Sequence, residues 1–140
     1  MSCYLDTSVL VPLFLLDPLN RRAEAFLRKN RDDLVIGEFG VAEFSSVVAR
    51  RLRTRDITRG DAQHAFLNFD EWVGRSARRE DTTSEDVRAA ASILRRLDVV
   101  LRAPDAIHVV TARRVNATLV TFDRQMGASA RALGSSVEIP

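Results

Sequence analysis

The sequence predicts an α/β domain with a mainly parallel sheet, and three observations lead to this fold class. Short apolar segments alternate with longer segments of helical periodicity, the pattern of strands joined by helical crossovers. The length of 140 residues is enough for one domain with a buried core. No Gly/Ser-rich or Pro-rich linker and no internal repeat divides the chain. We therefore expect a single domain over residues 1–140.

Short apolar segments bounded by turn residues are predicted to be the strands. The first is followed by the turn Asp6-Thr7-Ser8, the second ends at Gly37, and the third is rich in β-branched residues. The predicted strands are residues 3–5, 34–36, 118–122 and 137–139.

Apolar spacing and capping signals predict the helices. Thr83 to Asp86 resembles a capping box, and Pro104 stands where a first helical residue would. The predicted helices are residues 9–15, 21–29, 38–53, 58–78, 83–97, 104–115 and 124–133. In the helix that begins near Thr83, helical spacing predicts an apolar face made of Val87, Ala90, Ala91, Leu94 and Leu97.

Composition excludes several classes of protein. The single cysteine, Cys3, cannot form an internal disulfide, which favours a reducing compartment, and we expect a cytoplasmic protein. The longest apolar run, residues 9–16, is interrupted by Pro12 and is too short to span a bilayer. Of the 21 basic residues, 20 are arginines, which suit contacts with phosphate, and only Lys29 is a lysine. The net charge is nevertheless only +2, so charge alone does not indicate a nucleic-acid partner.

Four carboxylates stand next to apolar sequence. Asp6 and Asp123 each follow a predicted strand, and the carboxyl ends of parallel strands form the usual ligand edge of such a sheet. Glu43 is the only charged residue between positions 39 and 49, in a helix that we expect to be apolar on all sides and buried. Asp105 follows Pro104 in the first turn of a helix.

Each acid also has a purely structural interpretation. Asp6 and Asp123 could cap the helices that follow them. Glu43 could form a buried ion pair with an arginine. Asp105 could complement the helix dipole.

Taken together, the four acids favour a metal site. Carboxylates brought close together repel one another unless a cation lies between them, and an all-oxygen ligand set selects Mg²⁺ or Mn²⁺. Zinc is disfavoured because His64, His108 and Cys3 have no recognisable ligand spacing. Such a site suits hydrolysis of phosphodiester bonds.

Four short motifs follow one another along the chain: D-T-S at residues 6–8, A-E-F at 42–44, L-R-A-P-D-A-I-H at 101–108 and V-T-F-D at 120–123. Together they resemble the PIN-domain nucleases, and among these nucleases the VapC-type toxins of bacterial toxin–antitoxin pairs. The resemblance implies a three-layer α/β/α fold with a central parallel sheet, usually dimeric, and an endoribonuclease that depends on Mg²⁺ or Mn²⁺.

The resemblance also implies roles for individual residues. Asp6, Glu43, Asp105 and Asp123 match the acidic quartet of the family, with Asp6 and Asp105 as the main metal ligands and the other two completing the site. Thr7 and Thr121 match positions whose hydroxyls often support it. A small antitoxin that covers the active-site groove is the implied partner, together with the RNA substrate, a homodimer and a larger toxin–antitoxin assembly.

The remaining candidates concern RNA binding. Arginine doublets recur late in predicted helices, where solvated helix ends explain most of them. The first choices for contacts with the RNA backbone are Arg50, Arg51, Arg53 and Arg102. His108 is interpreted as a packing residue outside catalysis.

The alternative function is that of a non-catalytic partner of a DNA-binding antitoxin, which acts mainly in operator binding and co-repression.

Overall fold

A five-stranded, all-parallel sheet forms the centre of the computed structural model, which describes residues 1–140. The strands are β1 (Ser2–Leu5), β2 (Asp33–Gly37), β3 (Ala77–Glu80), β4 (Thr118–Val120) and β5 (Val137–Glu138). Their order across the sheet is β3-β2-β1-β4-β5, so β1 is the central strand. The predicted fold class is confirmed.

Seven helices connect the strands, and their number agrees with the sequence prediction. They are α1 (Thr7–Phe14), α2 (Asn20–Lys29), α3 (Glu38–Arg53), α4 (Arg59–Ser76), α5 (Ser84–Arg95), α6 (Ala103–Arg114) and α7 (Arg124–Ala132). None of them is both long and apolar enough to cross a membrane.

Alternating side chains of the strands supply two separate cores. Leu5, Ile36 and Val120 pack on one face of the sheet with residues of α1 to α4. Tyr4 and Leu119 pack on the opposite face with residues of α6 and α7. Because helices cover both faces, the molecule has three layers, α/β/α, with the sheet in the middle.

Strand β3 was not predicted from the sequence. The helix predicted over residues 58–78 ends at Ser76, and Ala77–Glu80 pairs in parallel with β2 at the edge of the sheet. Its sequence, A-R-R-E, contains no β-branched residue and no apolar alternation, so strand propensity gives no signal there. Pairing with the apolar strand β2 outweighs local propensity.

The apolar face predicted for α5 is correct only in part. Ala90 is buried and Leu94 packs beside it, but Val87 and Leu97 are exposed. The helix turns Asp86 and Ile93 inward in their place. The reason is electrostatic, because the buried Asp86 carboxylate faces the guanidinium of Arg114 on α6. This ion pair sets the rotation of α5 about its axis.

Arg114 joins three elements of the fold. Its Nε and Nη2 donate to the two carboxylate oxygens of Asp86 at 2.9 and 3.0 Å. Its Nη1 donates to Glu80 at the end of β3 at 2.7 Å. Asp86 also completes the capping box of α5 with Thr83, as predicted. Burial alone would raise the pKa of Asp86, but the hydrogen bonds from Arg114 and Thr83 outweigh it and lower that pKa.

We expect Asp86→Ala to lower the free energy of unfolding by about 2 kcal/mol at pH 7, because it removes the charge-assisted hydrogen bonds of a buried carboxylate and the capping box of α5. The lowered pKa of Asp86 means that its stabilisation is complete above the pKa of an unfolded aspartate, about 4, and is lost at lower pH. Urea unfolding at pH 7 and pH 3 checks both points. The control Glu85→Ala removes an exposed pair with Arg88 and should cost less than about 1 kcal/mol. Equal losses in the two variants would contradict the assignment.

Candidate active site at the carboxyl edge of the sheet

Asp6 and Asp123 lie at the carboxyl ends of the adjacent strands β1 and β4. The parallel register pairs Leu5 with Val120, and the Asp6 backbone N–H donates to the Val120 carbonyl at 3.2 Å. Asp123 caps α7 through its side chain, which accepts a hydrogen bond from the Met126 N–H at 2.9 Å. Asp6 precedes α1 but its side chain makes no capping bond. Helix capping therefore accounts for Asp123 but leaves the Asp6 carboxylate unexplained.

The Asp6 carboxylate is buried and held by two hydroxyls. Ser8 donates to Oδ1 at 2.6 Å and Thr121 donates to Oδ2 at 3.0 Å. No arginine or lysine forms an ion pair with it. Burial raises the pKa of Asp6 to about 6, against the opposing effects of the nearby His108 and of these hydrogen bonds. A buried carboxylate of this kind is stabilised by a proton or by a bound cation.

Glu43 lies on α3 and is half-buried. The expectation that α3 is apolar and buried on all sides is wrong, because the small residues Ala42 and Ser46 form an exposed face while Phe44 and Val48 pack in the core. Glu43 also does not form the buried ion pair with an arginine that its structural interpretation proposed. Thr7 donates to its Oε1 at 2.7 Å, and His108 forms a hydrogen bond with the same atom. Burial would raise the pKa of Glu43, but the hydrogen bonds from His108 and Thr7 lower it.

Asp105 and Asp123 line one cavity of about 370 Å³. Asp105 accepts a hydrogen bond from the Arg102 N–H at 2.9 Å, which closes the first turn of α6. The Arg102 guanidinium, with 81% of its side chain exposed, lies 3.5 Å from the Asp105 carboxylate. The cavity therefore has two acids and one exposed cation at its border, together with the apolar residues Val99, Val100, Leu101 and Met126.

The four carboxylates share an edge of the fold without forming a finished metal cage. Nowhere do three His, Cys, Asp or Glu side chains come close enough together to hold a metal ion in the present side-chain arrangement. The chemistry of the donor set nevertheless fits a hard divalent cation, since all four side chains are carboxylates and the buried Asp6 lacks any paired arginine or lysine.

Three residues at this edge were not predicted to take part in the site. Ser8 donates to Asp6, and its hydroxyl also accepts a hydrogen bond from the Phe122 N–H at 2.9 Å. His108 contacts Glu43, and Tyr4 contacts His108. The position of His108 three residues after Asp105 was the only available signal for the histidine. For Tyr4, which lies inside an apolar strand, the sequence offers none.

The arginines chosen as RNA contacts are in different environments. Arg51 pairs with Asp17 at 3.2 Å and donates to the Leu16 carbonyl at 3.0 Å, so it joins α3 to the segment after α1. Arg50 and Arg53 are exposed at the end of α3. Of the four, Arg102 alone contacts one of the four acids.

The chain matches the PIN domain family over residues 3–131. It is similar in structure to VapC20 of Mycobacterium tuberculosis, a toxin that cleaves the sarcin-ricin loop (19% identity, 99% of each chain covered, TM-score 0.75). It is also similar to FitAcB from Neisseria gonorrhoeae (21% identity, 99% of this chain and 97% of the other, TM-score 0.73). A third similar structure is VapBC2 from Rickettsia felis bound to a promoter DNA fragment (17% identity, 99% and 98%, TM-score 0.70). A comparison with curated protein sequences gave no significant match.

The burial of Asp6 predicts a characteristic pH dependence of stability in chelator-treated protein. The folded pKa of about 6 exceeds that of an unfolded aspartate, so the native chain gains stability as pH falls from 8 to 5. Asp6→Asn lacks this titration. The difference in free energy of unfolding between the two proteins should therefore shift by about 1 kcal/mol in favour of the native chain over this range. Urea unfolding at both pH values measures the shift, and a constant difference would contradict it.

Proposed function

Because the chain belongs to the PIN-domain family, we propose that it is the toxin of a toxin–antitoxin pair and cleaves RNA as an endoribonuclease that depends on Mg²⁺ or Mn²⁺. The observation that carries this proposal is the Asp6 carboxylate, which is buried without an arginine or lysine partner at an edge that it shares with Glu43, Asp105 and Asp123. The similarity to VapC20, described as a toxin that cleaves the sarcin-ricin loop, supports RNA as the substrate. All 140 residues would form one nuclease domain.

Asp6, Glu43, Asp105 and Asp123 would hold the metal ion. When bound, such an ion polarises the phosphate, lowers the pKa of a bound water and stabilises the leaving oxygen. The protein's contribution is to fix the carboxylates. Three hydroxyls fix the carboxylates of Asp6 and Glu43. Ser8 and Thr121 each donate a hydrogen bond to one oxygen of Asp6, and Thr7 donates to one oxygen of Glu43.

Arg102 is proposed to contact a phosphate of the RNA. Its guanidinium is exposed at the cavity that Asp105 and Asp123 line, so an RNA backbone reaching these acids would pass beside it. Arg50 and Arg53, which are exposed at the end of α3, are proposed as further contacts with the RNA backbone. Arg51 is a weaker candidate because Asp17 already neutralises its charge.

A small antitoxin is proposed as the physiological partner, and the similarity to FitAcB and VapBC2 supports it. A homodimer within a larger assembly remains part of the proposal. The alternative, a non-catalytic co-repressor, is supported by the promoter DNA bound to VapBC2. Metal-dependent cleavage of RNA distinguishes the two functions, because a co-repressor alone requires no cleavage.

We expect Asp6→Asn to abolish RNA cleavage and growth inhibition, with a loss of at least about 100-fold in rate, because several kcal/mol of metal-assisted stabilisation would disappear. Antitoxin-free protein is incubated with a range of structured RNAs and Mg²⁺ or Mn²⁺. The control is Asp70→Asn, which changes an exposed aspartate on α4 and should cleave like the native chain. Intact RNA after incubation with the folded native chain would exclude the nuclease function, and unchanged toxicity of Asp6→Asn would mean that this acid is structural.

The proposed role of Arg102 is tested by the salt dependence of RNA binding, measured in the Asp6→Asn background so that the RNA stays intact. Arg102→Gln should weaken binding and reduce the slope of log K against log salt by about 0.7, the value for one contact with a single-stranded phosphate. Arg88→Gln, on the exposed face of α5, serves as the control and should leave the slope unchanged. Equal salt-dependence slopes in the two variants would show that Arg102 does not contact a phosphate of the RNA.

A further inference from the structure

We propose that His108 is a positioning residue that fixes the carboxylate of Glu43, and that the hydroxyl of Tyr4 fixes His108 in turn. The inference rests on the proposed function, because it assigns Glu43 to the metal site. It adds two residues from the interior of the protein to that site. Neither was predicted from the sequence to take part in it.

The three side chains form a continuous chain of hydrogen bonds from the core to the site. The Tyr4 hydroxyl lies 2.9 Å from His108 Nδ1, and His108 Nε2 bonds Glu43 Oε1. Tyr4 is fully buried and His108 is 3% exposed, whereas 28% of the Glu43 side chain is exposed. The chain therefore runs from a tyrosine on the central strand to a carboxylate at the surface.

Hydrogen-bond satisfaction selects one form of the imidazole. The Glu43 carboxylate only accepts hydrogen bonds, so Nε2 carries the hydrogen. The Tyr4 hydroxyl has no partner other than His108, and a buried hydroxyl left without an acceptor is destabilising. The neutral ring lets Tyr4 donate to Nδ1, whereas a doubly protonated ring would leave the tyrosine hydrogen without an acceptor. The neutral ring protonated at Nε2 is the form that satisfies all three groups.

The start of α3 is shaped to hold this ring. A Cβ at Gly37 would collide with the Tyr4 hydroxyl, and a Cβ at Gly40 would lie 3.5 Å from His108 Cε1. Phe39 packs edge-on against the His108 ring at a centroid distance of 5.6 Å. Gly37 directly precedes α3, and Gly40 lies on the helix three residues before Glu43, so the beginning of α3 provides space for the ring and then carries the carboxylate.

The two donors to Glu43 act on the same oxygen. Thr7 and His108 both bond Oε1, and Oε2 accepts no hydrogen bond from the protein. Two donors on one atom fix the orientation of a long, flexible side chain and leave the second oxygen for a cation. Outer-shell hydrogen bonds of this kind commonly change metal affinity about 10–100-fold.

A matched pair of substitutions separates positioning from packing. The amide nitrogen of His108→Gln reaches the position of Nε2 and can still donate to Glu43, whereas that of His108→Asn reaches only the position of Nδ1. Both variants lose the ring, and their side chains differ in size by one methylene group. Tyr4→Phe removes the hydroxyl but keeps its own ring. His64→Asn, at an exposed histidine on α4, is the control.

Calorimetric titration with Mn²⁺ alone is the first measurement. His108→Asn should bind about 10–100-fold more weakly than the native chain, and His108→Gln should stay within about threefold of it. Tyr4→Phe should lie between them. Long-range ¹H–¹⁵N spectra of the metal-free chain provide an independent readout, and they should show a neutral ring protonated at Nε2 in native protein.

The outcomes distinguish this inference from the function on which it rests. If the native chain binds Mn²⁺ and cleaves RNA while His108→Asn matches it in both, the positioning role is overturned and the nuclease function stands. A native ring protonated at Nδ1 alone also overturns it, because Nε2 would then have no hydrogen to donate to Glu43. If the native chain neither binds Mn²⁺ nor cleaves RNA, the proposed function fails and the inference fails with it. Equal weakening of the Gln and Asn variants would indicate packing alone.

Discussion

The burial of the Asp6 carboxylate at the end of β1 is the constraint on which the site depends. β1 is central, so its carboxyl end is enclosed by the first turn of α1 and by the residues that follow β4. The fold supplies Ser8 and Thr121 to this carboxylate but no basic side chain. Burial of this carboxylate therefore costs free energy, which a proton or the cation of the proposed metal site would offset.

Much of the architecture follows from local patterns in the sequence. Apolar strands, capping residues and helical spacing predict four of the strands and all the helices, because burial of these segments decides their structure. β3 and the rotation of α5 could not be predicted in the same way. The first depends on pairing with β2, and the second on the Asp86–Arg114 ion pair, whose partners are 28 residues apart. Both interactions exist only in the folded chain.

The site shows a similar division. The sequence singles out the four acids because each is a charged residue in an apolar context, and the resemblance to PIN domains implies a common metal site for them. Their hydrogen-bond partners are harder to recognise. The sequence around Tyr4 is that of an ordinary core residue of β1, and no local pattern links Tyr4 to His108, which is 104 positions later. A residue that acts on the site through a second residue therefore has no recognisable sequence motif.

The chain of hydrogen bonds from Tyr4 also links the site to one particular core. Tyr4 packs with Leu119, Val109 and Met126 on the α6–α7 face of the sheet, while Glu43 belongs to a helix on the opposite face. His108, on α6, bridges the two layers at the carboxyl edge of the sheet. The orientation of Glu43 therefore depends on how α3 and α6 pack across the end of β1. A substitution in either helical layer would alter the orientation of the Glu43 carboxylate by displacing His108, even where the substituted residue contacts none of the four acids.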